Sequence, residues 1–149
     1  MPYSPNFSII EAPSILGLKP TGVDRLPDAL REAGFHDQLA AKFEARVPAP
    51  AFNPQRDPIT HLLNAEAIAT YSRSLAQVVA PVVQSGRFPI VLGGDCSILL
   101  GNLLALRKLG RFGLFFLDGH PDFCLPRKRW RLVNLPQWIW RSPLGVVLM

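Results

Sequence analysis

Phe88-Pro89-Ile90-Val91-Leu92-Gly93-Gly94-Asp95-Cys96-Ser97 is the stretch on which the reading of the fold turns. Phe88 to Leu92 is an unbroken apolar run, the mark of a strand covered on both faces. Gly93-Gly94-Asp95 reads as a turn. Ser97 then opens a helix carried by Leu99, Leu100, Leu103, Leu104 and Leu106, with a stop near Gly110. Leu114 to Leu117 is a second apolar strand, closed by Asp118.

Upstream of this unit, Asn64 stands as the N-cap of a long amphipathic helix marked by Ala67, Ile68, Tyr71, Leu75, Val78, Val79 and Val82. Pro81 falls inside it and is expected to kink or shorten it, and Ser85-Gly86 to close it. Phe7 to Glu11 reads as a short buried strand. Asp24, Pro27 and Asp28 open a helix with Leu26, Ala29, Leu30 and Ala33 at helical spacing, and Gly34 is its stop. Within residues 35–60, Val47-Pro48-Ala49-Pro50 and Asn53 to Pro58 are loop-like, with one short strand expected near Leu39 to Val47. Strands alternating with helices in this order imply parallel strands with crossover helices, an α/β layered fold. In such sheets ligands sit beyond the carboxyl ends of the strands. Gly94-Asp95-Cys96 and Asp118-Gly119-His120 both occupy that place.

Charge divides the chain of 149 residues in two. All eleven acidic residues lie between Glu11 and Asp122, with eleven of the sixteen Lys and Arg. The net charge of +5 comes from Arg127, Lys128, Arg129, Arg131 and Arg141, beside Trp130, Trp138 and Trp140. The basic pI therefore describes only residues 123–149 and is weak ground for a nucleic-acid role. Cys96 and Cys124 form neither a disulfide framework nor a CxxC pattern. There is no signal-peptide pattern and no run of the ~18 apolar residues that a span needs. A cytoplasmic setting is the expectation.

Asp118-Gly119-His120-Pro121-Asp122 gathers two carboxylates and an imidazole at a strand end. Alternate positions of an extended segment point the same way, so the three side chains can converge on one point. Such a set suits Mn²⁺, Fe²⁺ or Zn²⁺ better than Ca²⁺. The plainer alternative is a polar loop with a capping aspartate. In the other turn, Asp95 or Ser97 is a candidate cap for the following helix, and Cys96 is a ligand, a reactive thiol or a small buried residue. His36 and His61 read as surface or loop histidines. No Walker A pattern, GxGxxG or nucleophile elbow is present.

The two turns together resemble the arginase/agmatinase/formiminoglutamase (ureohydrolase) superfamily. That family carries a G-G-D-H-S turn and, one helix and one strand later, a D-A-H-x-D turn. Here Gly93-Gly94-Asp95-Cys96-Ser97 is followed by Asp118-Gly119-His120-Pro121-Asp122, and Ile10 to Ser14 and Gly22-Val23 are similar to the family's first strand and loop. The resemblance covers about residues 7–123. It implies an α/β fold of three layers, a mostly parallel sheet with helices on both faces. It implies two Mn²⁺ ions that activate water for attack on the guanidinium carbon of a small guanidino substrate, and family-type homo-oligomers. Carried over by position, Asp118 bridges both metals, His120 binds one, and Asp122 and Cys96 bind the other. Cys96 replaces the usual histidine, and its softer thiolate favours Zn²⁺ or Fe²⁺.

The family's downstream S-x-D-x-D-x-x-D-P segment has no counterpart, and Asp122 is the last acidic residue. The expectation is therefore a truncated arginase-like domain over residues 1–122, holding half of a dinuclear site and little or no hydrolase activity. Residues 123–149 admit three readings: a changed reading frame, a basic–aromatic segment for membrane surface or nucleic acid, or an ordinary tail closing with an apolar strand at Leu144 to Leu148. The alternative for the whole chain is a non-catalytic α/β binding or assembly module with a basic–aromatic tail.

Overall fold

A computed structural model describes residues 6–117 and the backbone of residues 146–148. The first strand, β1 (Phe7–Ala12), is buried on both sides. A 3-10 turn at Val23–Arg25 leads into α1 (Leu26–Glu32), which carries a proline in its first turn, where the missing N–H costs nothing. Gly34 ends it in a left-handed conformation (φ 76°). A four-residue helix, α2 (Phe35–Gln38), follows at once. The sequence carries no expectation of it, because four residues are too few to show a helical period. The strand β2 (Lys42–Arg46) lies inside the expected window.

Helix α3 (Ala65–Gln84) continues past Pro81 and is not shortened by it. Pro81 and Gln77, whose carbonyl loses its helical partner, are both exposed, so water can satisfy that oxygen. Asn64 precedes α3 as expected but does not cap it. Its backbone is left-handed (φ 50°) and its side chain makes no cap bond. The Asn64 amide instead donates to the carbonyls of Leu16 at 2.9 Å and Asn53 at 3.1 Å. The strand β3 (Phe88–Gly93) and helix α4 (Ile98–Leu109) follow the expected boundaries closely. The strand β4 (Gly113–Phe115) is shorter than the apolar run that foretold it. The last strand is β5 (Val146–Leu148).

The sheet order is β2-β1-β3-β5-β4, and every pairing is parallel. Period-two alternation sends Ile10, Ala12 and Val91 to one face, under Leu75, Val79, Ile98 and Leu106 of α3 and α4. It sends Ile9, Ile90 and Leu92 to the other, where Leu30, Phe35 and Leu39 pack. Helices thus cover both faces, and the three-layer arrangement is as expected. Leu75 and Val79 are fully buried, each stabilising the fold by about 1.5–3 kcal/mol. Gly101 lets α3 and α4 close on one another: a Cβ there would lie 2.9 Å from that of Leu75. Among the described residues no helix is long and apolar enough to cross a membrane.

Candidate metal centre at the carboxyl end of the sheet

Parallel pairing brings the ends of β1 and β3 level, with Ala12 opposite Gly93. The two turns that leave there are locked together. Gly94 has no room for a side chain, since a Cβ would meet the Ser14 carbonyl oxygen at 1.9 Å. That closeness lets the Asp95 N–H donate to the same oxygen at 2.8 Å. The Asp95 carboxylate is 4% exposed and accepts three hydrogen bonds. Ser14 Oγ and the Gly17 N–H donate to Oδ2 at 3.1 and 3.2 Å, and the Ser97 N–H donates to Oδ1 at 2.7 Å. Of the two candidate caps for α4, Asp95 therefore serves, and Ser97 makes no side-chain cap bond. Asp95 also lies near Tyr71, whose phenol is pushed up first by burial and then by the negative charge of Asp95.

Cys96 follows Asp95 at the tip of the turn and is exposed. Of the readings open to it in the sequence, the small buried residue is ruled out, and an accessible donor at a strand end stands. Asp118, His120 and Asp122, the other expected ligands, lie outside the described residues. The strand before them in sequence, β4, runs parallel to β3 in the same sheet. Among the described residues alone, no group of three or more His, Cys, Asp or Glu side chains could hold a metal ion. Cys96 is the one expected ligand among the described residues, a sulfur donor exposed at the tip of the turn, of the kind that Zn²⁺ or Fe²⁺ takes.

A second cluster was not foreseen. Glu11 is fully buried on the α1 side of β1. Arg31 donates to its Oε1 at 2.6 Å and Arg46 to its Oε2 at 3.1 Å. Arg46 also pairs with Asp28, and that hydrogen bond holds the Asp28 carboxyl below its ordinary value and raises the guanidinium. His36, expected at the surface, is half-buried in α2 with Nε2 3.7 Å from Glu11. His61 is exposed in a loop, as expected. The signal for the cluster was Glu11 itself, a lone charge in a strand covered on both faces.

Residues 5–131 match the arginase family. The chain belongs to that family. It is 39% identical over 124 residues to the arginase of Bacillus caldovelox, a match covering 77% of this chain and 41% of that protein. It is 33% identical over 128 residues to the arginase of Staphylococcus aureus strain COL, covering 80% and 42%. The solved Bacillus caldovelox arginase superposes with a TM-score of 0.70 at 36% identity, covering 79% of this chain and 42% of that one. An agmatine ureohydrolase of Thermoplasma volcanium, at 22% identity and a TM-score of 0.54, shares the fold. This arginase-family chain thus spans about two fifths of the length of these relatives.

Proposed function

We propose that these 149 residues supply the first half of a two-metal site for hydrolysis of a C–N bond in a guanidino substrate. Cys96, Asp118, His120 and Asp122 are its ligands, with Asp118 shared between the two metal positions. The observation that carries this reading is the exposed Cys96 at the locked turn after β3, in the place where the family has its first metal ligand. A pair of divalent ions supplies Lewis acidity that activates water at neutral pH. The chain's own part is to hold donors on a rigid edge. Asp95 fixes the backbone on either side of Cys96, and the strands fix the level of the turns. With a thiol in the set, Zn²⁺ or Fe²⁺ should bind more tightly than Mn²⁺.

The test is metal titration of the 149-residue chain, with urea release assayed on arginine and agmatine. We expect sub-stoichiometric or single-site binding of Zn²⁺ and no urea above the metal blank, because ligand number sets affinity. Urea release by this chain contradicts the half-site reading, and failure to bind Zn²⁺, Fe²⁺ or Mn²⁺ contradicts the site. The second reading, a non-catalytic assembly module, is favoured by exposed apolar side chains, Phe115 of β4 at 47% and Leu100 of α4 at 55%. A folded, monomeric, metal-indifferent chain would support it.

A further inference from the structure

Ser14 is fully buried, although it sits in the turn that follows β1. Its hydroxyl donates to Asp95 Oδ2 and accepts from the Leu16 N–H at 3.2 Å. Its carbonyl accepts from the Asp95 N–H. Asp95 in turn holds the Ser97 N–H. Cys96 is therefore strung between two fixed points, the backbone of Asp95 and the amide of Ser97. Both are tied through one carboxylate to the β1 turn. The strand and helix that flank Cys96 in the chain are only part of what places it.

We propose that Ser14 is a positioning residue for Cys96 as a metal ligand, acting through Asp95. The proposal rests on the functional reading above. A ligand on a turn gains affinity when its backbone is held before the metal arrives, and groups behind the ligands commonly alter metal affinity by about 10–100-fold. Ser14 holds that backbone by a hydroxyl and a carbonyl, and only the hydroxyl can be removed by mutation.

The test uses the full chain with Cys124→Ser, titrated with Co²⁺, whose sulfur-to-cobalt absorption reports thiolate ligation. Ser14→Ala is expected to weaken Co²⁺ binding about tenfold and to reduce the sulfur band at saturation. The matched control is Ser8→Ala. Ser8 is as buried as Ser14 and lies at the other end of β1, where it donates to Glu44 at 2.9 Å. If buried serines matter here only for folding, both variants should change Co²⁺ binding alike, and that result overturns the proposal. Unchanged binding in Ser14→Ala overturns it as well. Should Ser14→Ala fail to fold, Gly17→Ala removes no hydrogen-bonding group but sets a Cβ 3.3 Å from Asp95 Oδ1. It should weaken Co²⁺ binding by a smaller factor, and wild-type affinity there counts against the proposal. A sulfur band retained in Cys96→Ser refutes instead the reading on which the proposal rests.

Discussion

Glu11 and Asp95 are buried carboxylates near the carboxyl ends of neighbouring parallel strands, and they are satisfied in opposite ways. Glu11 meets two guanidinium groups and has an imidazole nearby. Its charge is answered inside the fold. Asp95 is held by a hydroxyl and two backbone amides, with no ion pair among the described residues. It lies beneath the turn that carries Cys96, satisfied by neutral donors alone among the described residues. The first arrangement fastens α1 and β2 to the sheet. The second ties two turns together, on either side of the exposed Cys96 in one of them.

The strongest way to break this comparison is Gly94→Ala. The new Cβ would press on the Ser14 backbone oxygen and nitrogen, neither of which can swing away. We expect a loss of more than about 4 kcal/mol, read as failure to show a cooperative urea transition. A folded variant of near wild-type stability would mean that the turns are not locked. Next in size is Asp95→Ala, which leaves the Ser14 hydroxyl and two amides without their acceptor. A cost of about 2–4 kcal/mol in denaturant unfolding is expected. A cost below 1 kcal/mol would show that water replaces the carboxylate.

An amide comparison is sharper. Glu11→Gln should cost about 1–2 kcal/mol, since Arg31 and Arg46 are partly exposed (side chains 49% and 39%) and can turn to water. Asp95→Asn should cost at least as much, because both its oxygens accept from buried donors and the new NH₂ must face one of them. A smaller cost would mean that the turn relaxes and lets water in.

The smallest effect is on acid stability. The Asp28 carboxyl lies below its ordinary 3.8, chiefly through the Arg46 hydrogen bond. Glu44 lies below 4.5, chiefly through the Lys42 hydrogen bond. Each binds fewer protons folded than unfolded near its ordinary value. The stabilisation is then complete above about pH 5 and fades as pH falls through the folded values. The urea midpoint should be flat above about pH 5 and drop below it, with a shallower drop in Arg46→Gln.

The frame of the fold was legible because its signals are local. The apolar run at Phe88 to Leu92, the leucine period of α4 and the amphipathic period of α3 each declare an element within one window. Asp95 as a cap was legible for the same reason. The lock between Ser14 and Asp95 was not, since 81 residues separate the partners and no period links them. Asn64 misled because a residue with the right identity for a cap found better partners in Leu16 and Asn53. Of the candidate site, the place of Cys96 could be read from its motif, while its exposure needed the fold.

The central claim is that Cys96 ligates a divalent metal at this edge of the sheet. The most direct test is ¹¹³Cd NMR of the 149-residue chain carrying Cys124→Ser. The account predicts a resonance in the range of mixed sulfur, nitrogen and oxygen ligation that disappears in Cys96→Ser. A resonance of all-oxygen character, unchanged by Cys96→Ser, would contradict it.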